Sequence, residues 1–226
     1  MRIKQTEMAH TDMKRILCFG DSLTWGYEPK EGVRLDSDSR WTGVLNSLTG
    51  DECIVIEEGQ NGRTIATDDP EEGEKNGMLY LVPCLESQSP LDVMVLMLGT
   101  NNLKRKFGYD ASDIASEMSR FLQKVIAHNN AKLEGKMKIL LVSPPLVGEH
   151  IESSRFGESF GFGKSIKVSM ELAPLYKELA DNYSIAFMDA AKVCTVSETD
   201  SIHLDADEQI KLGKAIYAKL KEEYEQ

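Results

Sequence analysis

The chain has 226 residues, of which 41% are hydrophobic, and a formal net charge of −11. That size and apolar content suit one large domain with a substantial core and exclude a wholly disordered chain, while the acidic balance argues against nucleic acid as the main partner. No stretch approaches the roughly 18 apolar residues of a membrane span, and the opening residues lack the apolar segment of a secretory signal, so a cytoplasmic protein with no membrane partner is expected.

Residues 1–13 read as a polar, disordered extension, followed by a single domain over 14–226. Five apolar runs have strand character: Arg15–Phe19, Cys53–Glu57, Asp92–Leu98, Lys138–Ser143 and Ile185–Met188. Three of them, RILCF, DVMVLML and KILLVS, are almost continuously apolar, as parallel strands covered on both faces must be. Between the runs lie helical periods: Trp41, Val44, Leu45 and Leu48; Ile114, Met118, Phe121, Leu122, Val125 and Ile126; Met170, Leu172, Leu175, Leu179 and Ala180; Leu212, Ile216 and Leu220. Strands alternating with helices predict an α/β fold, a three-layer α/β/α sandwich with right-handed crossovers. Asp68–Gly77 reads as a solvated acidic loop, the basic cluster Lys104–Lys106 as another, and Leu146–Lys164 as a lid or contact loop. The four cysteines lack a C-x-x-C pair and a suitably spaced histidine, so reduced thiols are expected rather than a zinc site.

In a parallel α/β sheet, ligands bind beyond the carboxyl ends of the strands. After the first run come Gly20, Asp21 and Ser22; after the second, Gly59, Asn61, Gly62 and Arg63; after the third, Gly99, Thr100, Asn101 and Asn102. Asp200 and His203 precede the last helix. A serine hydroxyl needs a base to take its proton. His203 suits that role, with Asp200 fixing its tautomer from the same loop. Ser22, read alone, is equally a helix cap; at a helix start its own N–H can also face an oxyanion. The Gly62 N–H and the Asn101 amide are the other candidate donors. A second serine, Ser159 in Gly157–Gly161, matches G-x-S-x-G, but no buried strand enters that motif and no helix leaves it at once. Leu23 and Trp25 either line a small acyl pocket or pack against a neighbouring helix.

The segments FGDSLTWG, EEGQNGRT, LGTNN and DSIH, in that order, resemble the four blocks of the SGNH (GDSL-type) hydrolase family. The wider run RILCFGDSLTWG…RWTGVL…VIEEG…GRT is especially similar to its bacterial arylesterases and acyltransferases. The resemblance implies a flavodoxin-like sheet of five parallel strands and a serine esterase with no metal or cofactor. It implies Ser22 as nucleophile, Asp200 and His203 as the rest of the triad, and Ser22, Gly62 and Asn101 as the oxyanion hole. It also implies a homo-oligomer, tetramer or octamer. The expected chemistry is hydrolysis of short-chain acyl esters of small soluble molecules, or their transfer to an alcohol or peroxide. Carbohydrate acetylesterase and thioesterase activities are alternatives, as is a catalytically silent small-molecule-binding domain. One departure stands out: the third block usually reads G-x-N-D, and Asn102 replaces its aspartate, which predicts a weaker hold on that carboxylate's donors.

Overall fold

The computed structural model describes residues 13–224; the expected extension therefore lies almost wholly outside the described residues. Five strands, β1 (Lys14–Gly20), β2 (Cys53–Gly59), β3 (Val93–Met97), β4 (Lys138–Ser143) and β5 (Ala186–Asp189), form one parallel sheet in the order β2-β1-β3-β4-β5. This is the doubly wound order of flavodoxin-like folds, whose ligand crevice opens where the strand order reverses, between β1 and β3. The helices are α1 (Ser22–Trp25), α2 (Trp41–Thr49), α3 (Gly77–Gln88), α4 (Ala111–Lys132), α5 (Gly157–Phe160), α6 (Ser165–Tyr183) and α7 (Ala206–Tyr224).

Successive side chains of a strand point to opposite faces, and the apolar runs feed two cores. Leu17, Phe19, Met94 and Leu96 pack under α3, α4 and α6 with Leu81, Phe121 and Leu172. Ile16, Cys18, Val93 and Val95 pack under α2 and α7 with Trp41, Leu45, Leu212 and Ile216. Within the periodic segments, Leu48 and Met170 are exposed and leave the buried stripes of α2 and α6. Helix α3 has no counterpart among the sequence expectations. Pro83 lies inside it and two of its large apolar side chains, Leu79 and Tyr80, face outward, so its buried stripe is short.

The two charged segments read as solvated loops neutralise each other instead. Asp69 is buried and receives Lys104 Nζ at 3.3 Å and Lys106 Nζ at 2.5 Å, while Lys104 also meets Glu72. Lys104 is itself buried. A buried cation needs a partner, because desolvation alone would cost several kcal/mol; the acidic loop supplies it. No described helix is long and apolar enough to cross a membrane.

Candidate active site

β1 ends at Gly20, and the chain turns through Asp21 into the four-residue helix α1. The helix cap is Asp21, whose Oδ1 accepts the Leu23 N–H at 3.0 Å. Ser22 is thus the first helical residue rather than the cap, which leaves its hydroxyl free to point elsewhere. Gly59, at the end of β2, makes room for this turn: a Cβ there would lie 2.3 Å from the Trp25 backbone nitrogen.

The Ser22 Oγ lies 2.8 Å from His203 Nε2, and His203 Nδ1 lies 2.7 Å from Asp200 Oδ2. All three residues are buried. A carboxylate only accepts, so the imidazole proton sits on Nδ1 and Nε2 accepts from the serine. Asp200 is fixed in turn by its Oδ1, which accepts the N–H groups of Ile202 at 3.0 Å and His203 at 2.8 Å. Burial pushes the Asp200 carboxyl upward, but the His203 ring and these two N–H groups outweigh it and hold the group below its ordinary value. Asp200 therefore stays an anion beside the imidazole, able to orient it and stabilise its protonated form.

Gly62 and Asn101 come to the same edge. Gly62 has φ of 82°, a left-handed conformation that favours glycine. Among the described residues, no hydrogen bond engages the backbone N–H of Ser22 or of Gly62. Asn101 sits in a short 3-10 turn, Thr100–Leu103. Its Nδ2 donates to the Arg63 carbonyl at 3.2 Å and lies 3.4 Å from Asp21 Oδ2. Burial raises the Asp21 carboxyl to about 7, against the opposing pull of the Leu23 N–H, the Arg63 charge and the Asn101 amide. Arg63 is buried, its guanidinium 4.3 Å from the Phe19 ring centroid, and donates to the carbonyls of Gly20 at 2.8 Å and Glu58. It ties the Gly62 loop to the ends of β1 and β2.

The two remaining candidates separate. Leu23 is 1% exposed and lies in the core with Cys18, Trp41 and Leu212. The cause is helical geometry, which turns Leu23 inward beside Ser22, where Gln209 Nε2 also secures its carbonyl at 3.0 Å. Trp25 is half-buried and 6.3 Å from Tyr27, centroid to centroid. Ser159 is exposed on α5, which is not entered by a strand.

Three neighbours of the triad have no counterpart among the sequence expectations. The Tyr27 ring lies 4.1 Å from that of His203, and Phe156 lies 5.4 Å from it. Arg155 sits 5.5 Å from both aromatic centroids, donates to the Pro29 and Lys30 carbonyls, and reaches within 3.9 Å of Asp200 Oδ2. Arg155 and Phe156 belong to the glycine- and aromatic-rich loop expected beside a site, and that composition is their only signal.

A buried hydroxyl hydrogen-bonded to an imidazole, an adjacent anion and free N–H groups can perform acyl transfer. Solved structures similar to this chain carry matching names. Est24, a carbohydrate acetylesterase from Sinorhizobium meliloti, is 37% identical with a TM-score of 0.85, covering 92% of this chain and 99% of that one. A carbohydrate acetylesterase family member from the same organism is 33% identical with a TM-score of 0.84, covering 93% and 98%. The inhibitor-bound aryl esterase of M. smegmatis is 37% identical with a TM-score of 0.86, covering 92% and 99%. No curated protein matches the chain. The family model for GDSL-like lipases and acylhydrolases matches residues 18–219, nearly the whole described fold, and the chain belongs to that family.

Proposed function

We propose that this carboxylic ester hydrolase works through an acyl-enzyme on Ser22, with His203 as general base and acid and Asp200 as its orienting anion. The observation that carries the reading is the continuous hydrogen-bonded line from Ser22 Oγ through His203 to Asp200, at 2.8 and 2.7 Å. His203 takes the serine proton as Oγ attacks the ester carbonyl. The N–H groups of Ser22 and Gly62 receive the oxyanion, joined by the Asn101 amide as it turns one N–H from its long 3.4 Å contact with Asp21 Oδ2 toward the substrate. His203 then protonates the leaving alcohol, and water attacks the acyl-enzyme; an alcohol or peroxide in place of water gives transfer.

Ser22 is only 5% exposed, and a nucleophile so enclosed favours short acyl groups on small esters. Trp25 and Tyr27 are the aromatic surface offered to the substrate. A carbohydrate acetylesterase reading has specific support in the names of two similar structures. A cytoplasmic setting is proposed from the scattered cysteines, which form no C-x-x-C pair; assembly as a homo-oligomer is proposed and is read by light scattering. The test is release of p-nitrophenol from p-nitrophenyl acetate, with acetylated sugars in parallel. Ser22→Ala should abolish turnover and Ser159→Ala should leave it intact; the reverse would remove the assignment.

A further inference from the structure

Asn102 is the residue after the proposed oxyanion donor Asn101, and its side chain is completely buried. Its Oδ1 accepts the Ile65 N–H at 3.0 Å, and its Nδ2 donates to Glu117 Oε2 at 2.8 Å. Glu117 belongs to α4 and is 5% exposed. Its Oε2 also accepts the Ala66 N–H at 3.1 Å, while Oε1 accepts from Thr67 Oγ1 at 2.6 Å and from the Tyr109 hydroxyl at 3.4 Å. Arg120 lies 3.8 Å from Oε1 but is mostly exposed. The carboxylate is thus surrounded by donors from the loop that carries Gly62 and from the turn that carries Asn101.

We propose that Glu117 is a positioning residue for the oxyanion hole, supplying through neutral Asn102 the single negative charge that locks the Gly62 and Asn101 segments together. The inference rests on the acyl-enzyme reading above. Asn102 and Glu117 are complementary. An aspartate at 102 would take the Ile65 N–H equally well, but its other oxygen would meet Glu117 Oε2, acceptor against acceptor. Two carboxylates at 2.8 Å cannot both ionise without strong repulsion. Asparagine converts that clash into a donated bond, so the charge sits one side chain further from Asn101. The loss expected from a neutral residue at 102 is therefore offset by Glu117, which binds the next donors of the loop, the Ala66 N–H and the Thr67 hydroxyl, while the Ile65 N–H stays on the Asn102 amide oxygen.

Epistasis on turnover of p-nitrophenyl acetate is the test. Glu117→Gln preserves size and one acceptor but removes the charge; kcat should fall about tenfold with KM little changed, because the donors act mainly in the transition state. Asn102→Asp should fall further, about 100-fold, through like-charge repulsion. Adding Glu117→Gln to Asn102→Asp should then raise kcat, although Ala66 is left facing an amide nitrogen. A change harmful in one background and beneficial in the other is not what a general packing role produces. If Glu117→Gln leaves kcat unchanged in the native background, or lowers it equally in both, the inference is overturned. Labelling of Ser22 by a fluorophosphonate separates the two claims: a native protein that is not labelled removes the acyl-enzyme reading, whereas labelling without sign reversal removes only the role of Glu117.

Discussion

Asp21→Asn should make the protein more stable at alkaline pH and less active. Asp21 is buried, and its carboxyl titrates at about 7 in the folded protein, against about 3.9 in an unfolded chain. Because the folded value is the higher, the folded state binds more protons between these two points, so stability falls as pH rises through that window. The full difference corresponds to about 4 kcal/mol, of which about 2.5 kcal/mol is expressed between about pH 5 and about pH 8. Asparagine does not titrate. Urea denaturation of both proteins at the two pH values isolates the group, since every other titration cancels in the comparison. The variant should gain about 2.5 kcal/mol on the native protein over that interval. Parallel stability profiles would refute the reasoning.

Turnover should move the other way. The Leu23 N–H holds Oδ1 as an acceptor at 3.0 Å, so the new amide nitrogen takes the place of Oδ2. There it confronts Asn101 Nδ2, now 3.4 Å from that oxygen. Asn101 loses one of its two supports, and kcat should drop by up to about 100-fold, the scale of one lost oxyanion donor.

Gly59→Ala should cost about 1–3 kcal/mol and most of the activity, because the added methyl meets the Trp25 backbone nitrogen at 2.3 Å and must displace the helix that carries Ser22; thermal melting and ester turnover read the two effects. Asp69→Ala should cost about 3 kcal/mol by urea denaturation, the lower end for breaking a buried pair, since Lys104 keeps Glu72 as a partner. Asp69 is held below its ordinary carboxyl value because the Lys106 and Lys104 contacts outweigh burial. Its contribution is therefore present above the unfolded carboxyl value and should fade as pH falls through the lower folded one; stability of the variant should be less sensitive to acid there.

Much of this site is readable in the sequence because its chemistry is local to strand ends. A run of apolar residues stops at Gly20, Gly59 or Leu98, and the residues immediately after it must lie at the carboxyl edge of the sheet. The Asp200–His203 pair needs only a short turn. Tyr27, Arg155 and Phe156 could not be found that way: they reach His203 by the approach of two loops separated by more than a hundred residues, and no period or spacing encodes that approach. Leu23 is ambiguous for a different reason, since in a four-residue helix adjacent side chains diverge and nothing in the sequence says which one meets the core.

The pairing of Glu117 with Asn102 lies between these cases. Ile114, Phe121 and Val125 define the buried stripe of α4, and position 117, three residues after Ile114 and four before Phe121, falls on the same stripe. A charged residue there requires a buried partner set, which the alternation of apolar residues alone conceals. Read with the asparagine where the family pattern has aspartate, it raises a specific question: whether the missing charge has moved rather than vanished. The answer lies in the hydrogen bonds, because Asn102 takes the Ile65 N–H, Glu117 takes the adjacent Ala66 N–H, and the two side chains are bonded to each other. A neutral substitution at one buried position and a charge out of pattern at another are therefore best read as one electrostatic unit, and the exchange of kcat effects between the two backgrounds is the measurement that treats them so.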